Sequence, residues 1–392
     1  MTIAGVTPRA VVEPQTVEEL ADCVGALYAA DSAFAFAGGE TELELGNRPR
    51  SLDTLVKTTA CNRVIDYAPQ DQTITVEAGM TIAAVGAVLA RERQFLALDS
   101  PDPERTTIGG AIATNLYGAR RLRYGSIKDT IVGVAIVRPD GTRARGGGKV
   151  VKNVAGFDIP KLMVGSLGTL GAIVGATFRV YPIEEQRAAM IYADVSVEQM
   201  MQLGAEIVRE ALVPAAVVAL DGAAGECYTC SVLFEGFARG VEQQMAAAAA
   251  IAARLGLRAT PSPAEPPAQS FEDRERAVRR GASWRVRVSA RPTELARFLA
   301  ATVFPPATRR AIYPLLGAAF IAADSLDAAT IAAWRASLDG GSVVVAAMPE
   351  TAREAVDTWG AVPAPAHAIM RRLKAHFDPK GLCNAGRFVG GL

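Results

Sequence analysis

Leu20, Val24 and Leu27 recur at helical spacing behind Thr16, with Glu19 three residues on as in a capping box, so the pattern predicts a helix running to about Ala30. An apolar strand from Ala33 to Ala37 follows and stops at Gly38, Gly39, Glu40 and Thr41. The alternation from Asp71 to Glu77 predicts a half-buried strand, and Thr81 then caps a helix with Ile82, Val85 and Leu89 on one face. A second glycine cluster follows at Thr106–Gly110. Ile131 to Val137 and Ala172 to Tyr181 read as strands, with Asp140-Gly141 as a hairpin turn and Pro182 ending this first region.

Beyond Pro182 the pattern changes to strand, helix, strand, strand, helix over 188–195, 197–211, 214–220, 227–235 and 238–255, the order of half a ferredoxin-like sandwich. A stretch rich in proline and small residues at 260–270 predicts an exposed connection, and strand and helix patterns resume near Trp284, so this region is expected to hold two related halves. A last helix is predicted from Ala364 to Phe377, ended by Asp378-Pro379-Lys380-Gly381.

The 392 residues, half of them hydrophobic, suffice for two cores. Basic and acidic residues number 41 each, so no overall field favours nucleic acid or an anionic membrane, and neither is expected as a partner. The start of the chain lacks a secretory pattern and no run suits a membrane span, which makes a cytoplasmic location the expectation. Five scattered cysteines do not resemble a disulfide framework. Cys227 and Cys230 have C-x-x-C spacing, but a metal needs further ligands, alternating strand residues explain the pair as packing, and no metal is expected.

Glycine-rich turns bring backbone N–H groups close to a ligand and suit a diphosphate, particularly where they lead into helices. Three stretches occur in order: FAGGET at 36–41, TTIGGAIATN at 106–115 and GSLGTLG at 165–171. Together they resemble the vanillyl-alcohol-oxidase-type (PCMH-type) FAD-binding domain. Within that superfamily, GGGKVVKNVAGFD at 146–158 and FDPKGLCNAGR at 377–387 resemble the FAD-binding E subunits of bacterial glycolate oxidases. The likeness is strong over 30–182 and 364–388, and between them covers little beyond the order of elements.

The resemblance implies an α+β fold: a PCMH-type FAD-binding domain of two α+β subdomains, then a ferredoxin-like cap domain and a C-terminal helix. The expected boundaries are 1–183 for the first domain (subdomains about 1–57 and 58–183), 184–350 for the cap, and 351–392 for the helix and tail returning to the first domain. It further implies that Ala37, Gly38, Gly39, Glu40 and Thr41 cradle the pyrophosphate, and that Thr106, Thr107, Gly109, Gly110, Ala113, Asn115, Gly118, Gly125 and Ile173 lie along the rest of the cofactor. Relatives have glycine at the position of Glu40, or a histidine that attaches the flavin. A carboxylate facing a pyrophosphate is repelled, so Glu40 is expected to turn outward or accept backbone N–H bonds. The only histidines, His367 and His376, lie far from this loop in sequence, which excludes histidyl attachment there; composition leaves a cysteinyl link through Cys23 or Cys61 open, but neither lies in an attachment motif, and non-covalent FAD is the expectation.

Hydroxy-acid oxidation needs a proton acceptor and a cation for the carboxylate. Arg120 and Arg121 are the candidates for the cation, while the histidine motif of catalytic relatives has no equivalent. His367 and His376 are nine residues apart and do not form a one-turn metal pair. The leading expectation is an FAD-binding subunit that oxidises glycolate to glyoxylate together with a catalytic flavoprotein subunit and an iron–sulfur subunit, any membrane association being peripheral and through the complex. The alternatives are a stand-alone FAD-linked D-2-hydroxy-acid dehydrogenase and a non-catalytic, flavin-stabilised assembly subunit.

Overall fold

The computed structural model describes residues 2–148, 157–222, 227–262 and 271–392; residues 149–156 of the GGGKVVKNVAGFD motif and 263–270 of the proline-rich stretch lie outside them. The chain divides into two units: one of Met1–Tyr117, Gly125–Ile183 and Asp357–Leu392, the other of Gly118–Tyr124 and Glu184–Val356. The first unit thus draws on both ends of the chain. Residues 118–124, expected in the cofactor domain, group instead with the second unit, for reasons of charge given below.

In the first unit the strands Ala10–Val12, Thr54–Lys57 and Phe34–Ala37 form a small parallel sheet in that order. The helix Val17–Ala29 connects two of them, its N-cap Thr16 accepting from the Glu19 amide, and buries Leu20 and Val24. Five antiparallel strands form a second sheet in the order Val64–Ala68, Thr73–Glu77, Ala172–Arg179, Ile131–Val137 and Arg143–Gly147. The central strand Ala172–Arg179 is buried along nearly its whole length, and the ring of Phe178 is fully enclosed with Ile74, Val76 and Leu89. Each such aromatic contributes roughly 1.5–3 kcal/mol relative to exposure.

At the end of the strand Thr73–Glu77, Glu77 takes hydrogen bonds from the Arg63 amide (2.8 Å) and guanidinium (2.8 Å from Nη2). Burial pushes the carboxyl up, yet the hydrogen bonds and charge of Arg63 outweigh it and hold Glu77 below its ordinary range. A lowered acid contributes stability that is present above its unfolded pKa and lost as pH falls through the folded one.

The C-terminal segment docks on the small sheet. Cys383 bridges in parallel to Phe34, with the Phe34 amide donating to the Leu382 carbonyl and the Asn384 amide to the Phe34 carbonyl. A buried ion pair holds the segment: Lys374 Nζ lies 2.7 Å from Asp378 Oδ2 and donates to the carbonyls of Thr169 and Cys383. Asp378 also accepts from the amides of Leu382 and Cys383. The ammonium therefore reaches three chain segments at once.

The second unit is one eight-stranded antiparallel sheet in the order Arg258–Ser262, Gln186–Val195, Tyr228–Gly236, Ala216–Asp221, Arg309–Tyr313, Ala318–Ala323, Trp284–Ser289 and Ser342–Ala347. In chain order each half runs strand, helix, strand, strand, helix, strand. The two halves are ferredoxin-like repeats, each with its first and third strands central, joined through the short pairing of Ala219 with Ile312 and Leu220 with Ala311. Arg310 clamps this joint, with Nη2 2.5 Å from Asp221 Oδ1 and its guanidinium over the Phe304 and Tyr228 rings. The core holds Tyr192, Phe234, Trp284, Phe298 and Trp334.

Residues 118–124 belong to the second unit because their charges are matched there. Glu235, 5 % exposed at its side chain, receives Arg120 Nη2 at 2.9 Å and lies 3.3 Å from Arg187 Nε. Tyr124 donates to Glu235 Oε2 at 3.1 Å, and Arg123 pairs with Glu184 at 3.3 Å. A carboxylate this buried requires its partners.

Two outcomes test these pins. Replacing Lys374 with Met leaves Asp378 without its cation and is expected to lower the unfolding free energy by roughly 3–5 kcal/mol in denaturant titration, whereas a loss below ~1 kcal/mol means that the pair does not hold the tail. Arg63→Met is expected to destabilise the protein at pH 7, with the difference from wild type shrinking as pH falls below 4.5, the ordinary value for Glu77; a difference independent of pH excludes Glu77 as the group responsible.

Candidate functional site

A cleft in the first unit spans about 760 Å³, open solvent included. Its walls come from 36–43 beyond the small parallel sheet, 106–114 at the second glycine cluster, 167–173 before and in the central strand, and Asn384 and Arg387 of the tail. The site thus lies between the three-stranded and the five-stranded sheet of one unit.

The turn after Phe34–Ala37 does not enter a helix. Among the described residues the amides of Gly39, Glu40 and Thr41 donate to no protein acceptor, so three consecutive N–H groups remain for a ligand. Such a run makes an anion-binding nest without a helix dipole. Gly38 and Gly39 are glycines for a second reason: a Cβ on Gly38 would overlap Thr107 Oγ1, and one on Gly39 would overlap the Arg105 carbonyl oxygen. Their small size serves contact between protein segments as well as ligand approach.

Glu40 has φ +64°, in the left-handed region. Its carboxylate turns to Lys57, with Oε1 3.2 Å from Nζ. The expected outward turn of Glu40 therefore takes the form of an ion pair rather than of bonds to backbone amides.

The second glycine cluster works differently from the expectation. The helix Ile108–Thr114 is short, and its first amides are already occupied: Ile108 donates to Met80, Gly109 to Ala78, and Gly110 to Thr107 Oγ1. This helix end offers no free N–H run to a phosphate. Thr106, buried, accepts from Ser100 at 2.7 Å and donates to Thr41 at 3.3 Å, tying the cluster to the first loop.

Asn384 gives the clearest sign of a missing ligand. It is 3 % exposed and lines the cavity, and its Nδ2 donates to the Leu167 carbonyl, which fixes the orientation of the amide. Its Oδ1 is buried with no partner. A buried acceptor left unmade costs free energy, so this atom suits a hydroxyl or N–H of a bound molecule. Arg387, beside it, donates to the carbonyls of Leu43 and Leu45 and shapes the far wall. Three free amides for a diphosphate and a neutral acceptor for a hydroxyl or N–H fit FAD, which carries both kinds of group.

Residues 8–147 match the profile of a family described as FAD binding domain. The fold resembles alkyldihydroxyacetonephosphate synthase with a TM-score of 0.70 at 16% sequence identity, over 96% of this chain and 77% of that one. The first unit has the PCMH-type FAD-binding fold. Among curated proteins, this FAD-binding chain is 32% identical over 196 residues to D-2-hydroxyglutarate dehydrogenase of Xanthomonas citri pv. viticola, covering 50% of this chain and 42% of the relative. It is 35% identical over 172 residues to glycolate oxidase subunit GlcE of Escherichia coli, covering 43% and 48%. With glycolate oxidase subunit GlcD of Bacillus subtilis it shares 27% over 214 residues, covering 55% and 46%. The chain spans less than half the length of each of these three relatives.

Of the residues expected around FAD, Ala37, Gly38, Gly39, Glu40, Thr41, Thr106, Thr107, Gly109, Gly110, Ala113 and Ile173 line the cavity. Asn115, Gly118 and Gly125 do not. Asn115 is the left-handed cap of Ile108–Thr114, Gly118 belongs to the second unit, and Gly125 sits against Asp129. Arg120, offered as a carboxylate clamp, is instead engaged with Glu235, and neither it nor Arg121 lines the cavity. Asn384, Arg387, Leu167 and Gly168 line it without having been assigned contacts, although the GSLGTLG and CNAGR stretches that carry them were already conspicuous. Cys383 is the thiol next to this wall; it donates to the Gly168 carbonyl, and burial pushes it up to about 12, so it is no nucleophile.

Asn384→Ala is expected to raise the FAD dissociation constant about tenfold or more, since a buried hydrogen bond to the ligand is lost. An unchanged constant in a flavin-fluorescence titration removes Asn384 from the cofactor site.

Proposed function

We propose that this chain is the FAD-binding subunit of a 2-hydroxy-acid-oxidising complex, with glycolate as substrate, glyoxylate as product, and a catalytic flavoprotein and an iron–sulfur protein as partners. The observation that carries this reading is the make-up of the cavity: its walls bind and orient, and supply little acid–base chemistry. Its ionisable side chains are Glu40, paired with Lys57, Arg387, tied to backbone carbonyls, and Glu42. Both histidines lie on the Ala364–Phe377 helix, and neither lines the cavity. Among the described residues no group of three or more His, Cys, Asp or Glu side chains is placed to hold a metal ion. The likeness to GlcE and GlcD supports the choice of glycolate.

FAD, when bound, supplies the capacity to accept two electrons. The chain supplies the anion nest at Gly39–Thr41, the Asn384 acceptor and close walls of Gly, Ala and Thr. With no histidine at the loop and Cys383 inert, the flavin is held without a covalent bond. Among the described residues no helix is long and apolar enough to cross a membrane, so any attachment to one runs through the partners.

The likeness to D-2-hydroxyglutarate dehydrogenase favours a second reading, in which the chain is a dehydrogenase in its own right. Anaerobic addition of glycolate or D-lactate to the purified chain separates the two. A bound flavin whose absorbance near ~450 nm persists is the expected result, and bleaching without partners establishes the second reading. A chain that purifies without flavin and takes up none overturns both.

A further inference from the structure

Glu40 is an acid built into a loop whose amides are free to hold an anion. We propose that Lys57 is a cofactor-binding residue, the counter-ion of the FAD diphosphate, and that Glu40 competes with the diphosphate for it and so weakens flavin binding. The inference rests on the placement of the diphosphate over residues 39–41.

Three observations carry it. The amide of Glu40 stands in the middle of the free run from Gly39 to Thr41, so its carboxylate, on the same residue, cannot be far from an anion those amides hold. The residue keeps φ +64°, a conformation that disfavours any side chain with a β-carbon, so local backbone preference does not explain a glutamate here. Its carboxylate is only about a quarter exposed and meets Lys57 Nζ at 3.2 Å, Lys57 being about as exposed. Partial burial leaves the pair less screened than a surface pair.

Lys57 is also held in place. It closes the strand Thr54–Lys57 opposite Ala37, the residue from which the loop departs, and the next amide, that of Thr58, donates to the Ala37 carbonyl. Lys57 does not itself line the cavity, so the exchange requires its side chain to turn from Glu40 toward the loop amides. An arriving diphosphate, with greater charge than a carboxylate, draws Lys57 from Glu40, and the repulsion left at Glu40 opposes part of the gain. The ligand class is any dinucleotide or nucleotide that places a diphosphate on the loop; the flavin ring plays no part in the competition.

The test is equilibrium binding of FAD to the full chain and to Glu40→Gln and Lys57→Met, with ADP as a competing diphosphate that lacks the flavin. Glu40→Gln is expected to tighten FAD and ADP together by about fivefold, and Lys57→Met to weaken both by about fivefold or more, with both effects shrinking in high salt. Unchanged or weaker binding by Glu40→Gln, or unchanged binding by Lys57→Met, overturns the proposal. Hydrogen exchange of the amides at 39–41 with and without FAD separates the two layers of the argument. If these amides are not protected by FAD, the diphosphate placement itself fails; if they are protected and the variants bind as wild type, only the role of Glu40 and Lys57 fails.

Discussion

The close approach of the loop at 38–39 to the backbone at 105–107 is the constraint on which the cofactor site depends. It brings the end of a parallel strand against the start of the Ile108–Thr114 helix with no space for a side chain between them. The three-stranded and five-stranded sheets of the first unit meet here. Because the amides of that helix end are used by Met80, Ala78 and Thr107, the free donors fall to the loop, at Gly39, Glu40 and Thr41. The open donors thus sit on a turn rather than at a helix terminus, with backbone hydrogen bonding deciding which N–H groups remain open.

The third wall comes from the opposite end of the chain. Lys374 satisfies its three donors with Asp378 and the carbonyls of Thr169 and Cys383, and Asp378 in turn holds the amides of Leu382 and Cys383. This network fixes the tail beside Phe34 and sets Asn384 and Arg387 into the cavity. A domain defined by residues 8–147 in sequence is therefore complete in space only with residues more than two hundred positions later. Closing so long a loop is entropically costly, and the buried ion pair and backbone bridge offset that cost.

In the second unit the same logic of paired charge recurs. A duplicated strand and helix pattern yields one continuous sheet, and the joint between the repeats is short enough to need the clamp of Arg310 on Asp221. Burial pushes Asp221 above the usual carboxylate range even with the arginine beside it. Glu235 does for residues 118–124 what Asp221 does for the joint.

Local pattern was legible in the sequence wherever one face of an element is buried: the predicted strand from Ile131 to Val137, the helices at 238–255 and 364–377, and the duplicated second region all follow from periodicity. The glycine-rich stretches also marked the cofactor domain, because close backbone approach demands small residues wherever it occurs. Tertiary structure alone decided which of those glycines line the cavity and which face another segment, since a missing Cβ looks the same in either case. It decided the partner of Glu40, because Lys57 is brought near by strand pairing rather than by sequence spacing. It decided the loss of Arg120 to Glu235 and the entry of Asn384 into the site. Periodicity records which side of an element is dry; which distant group meets a charge or an open acceptor depends on where the chain returns.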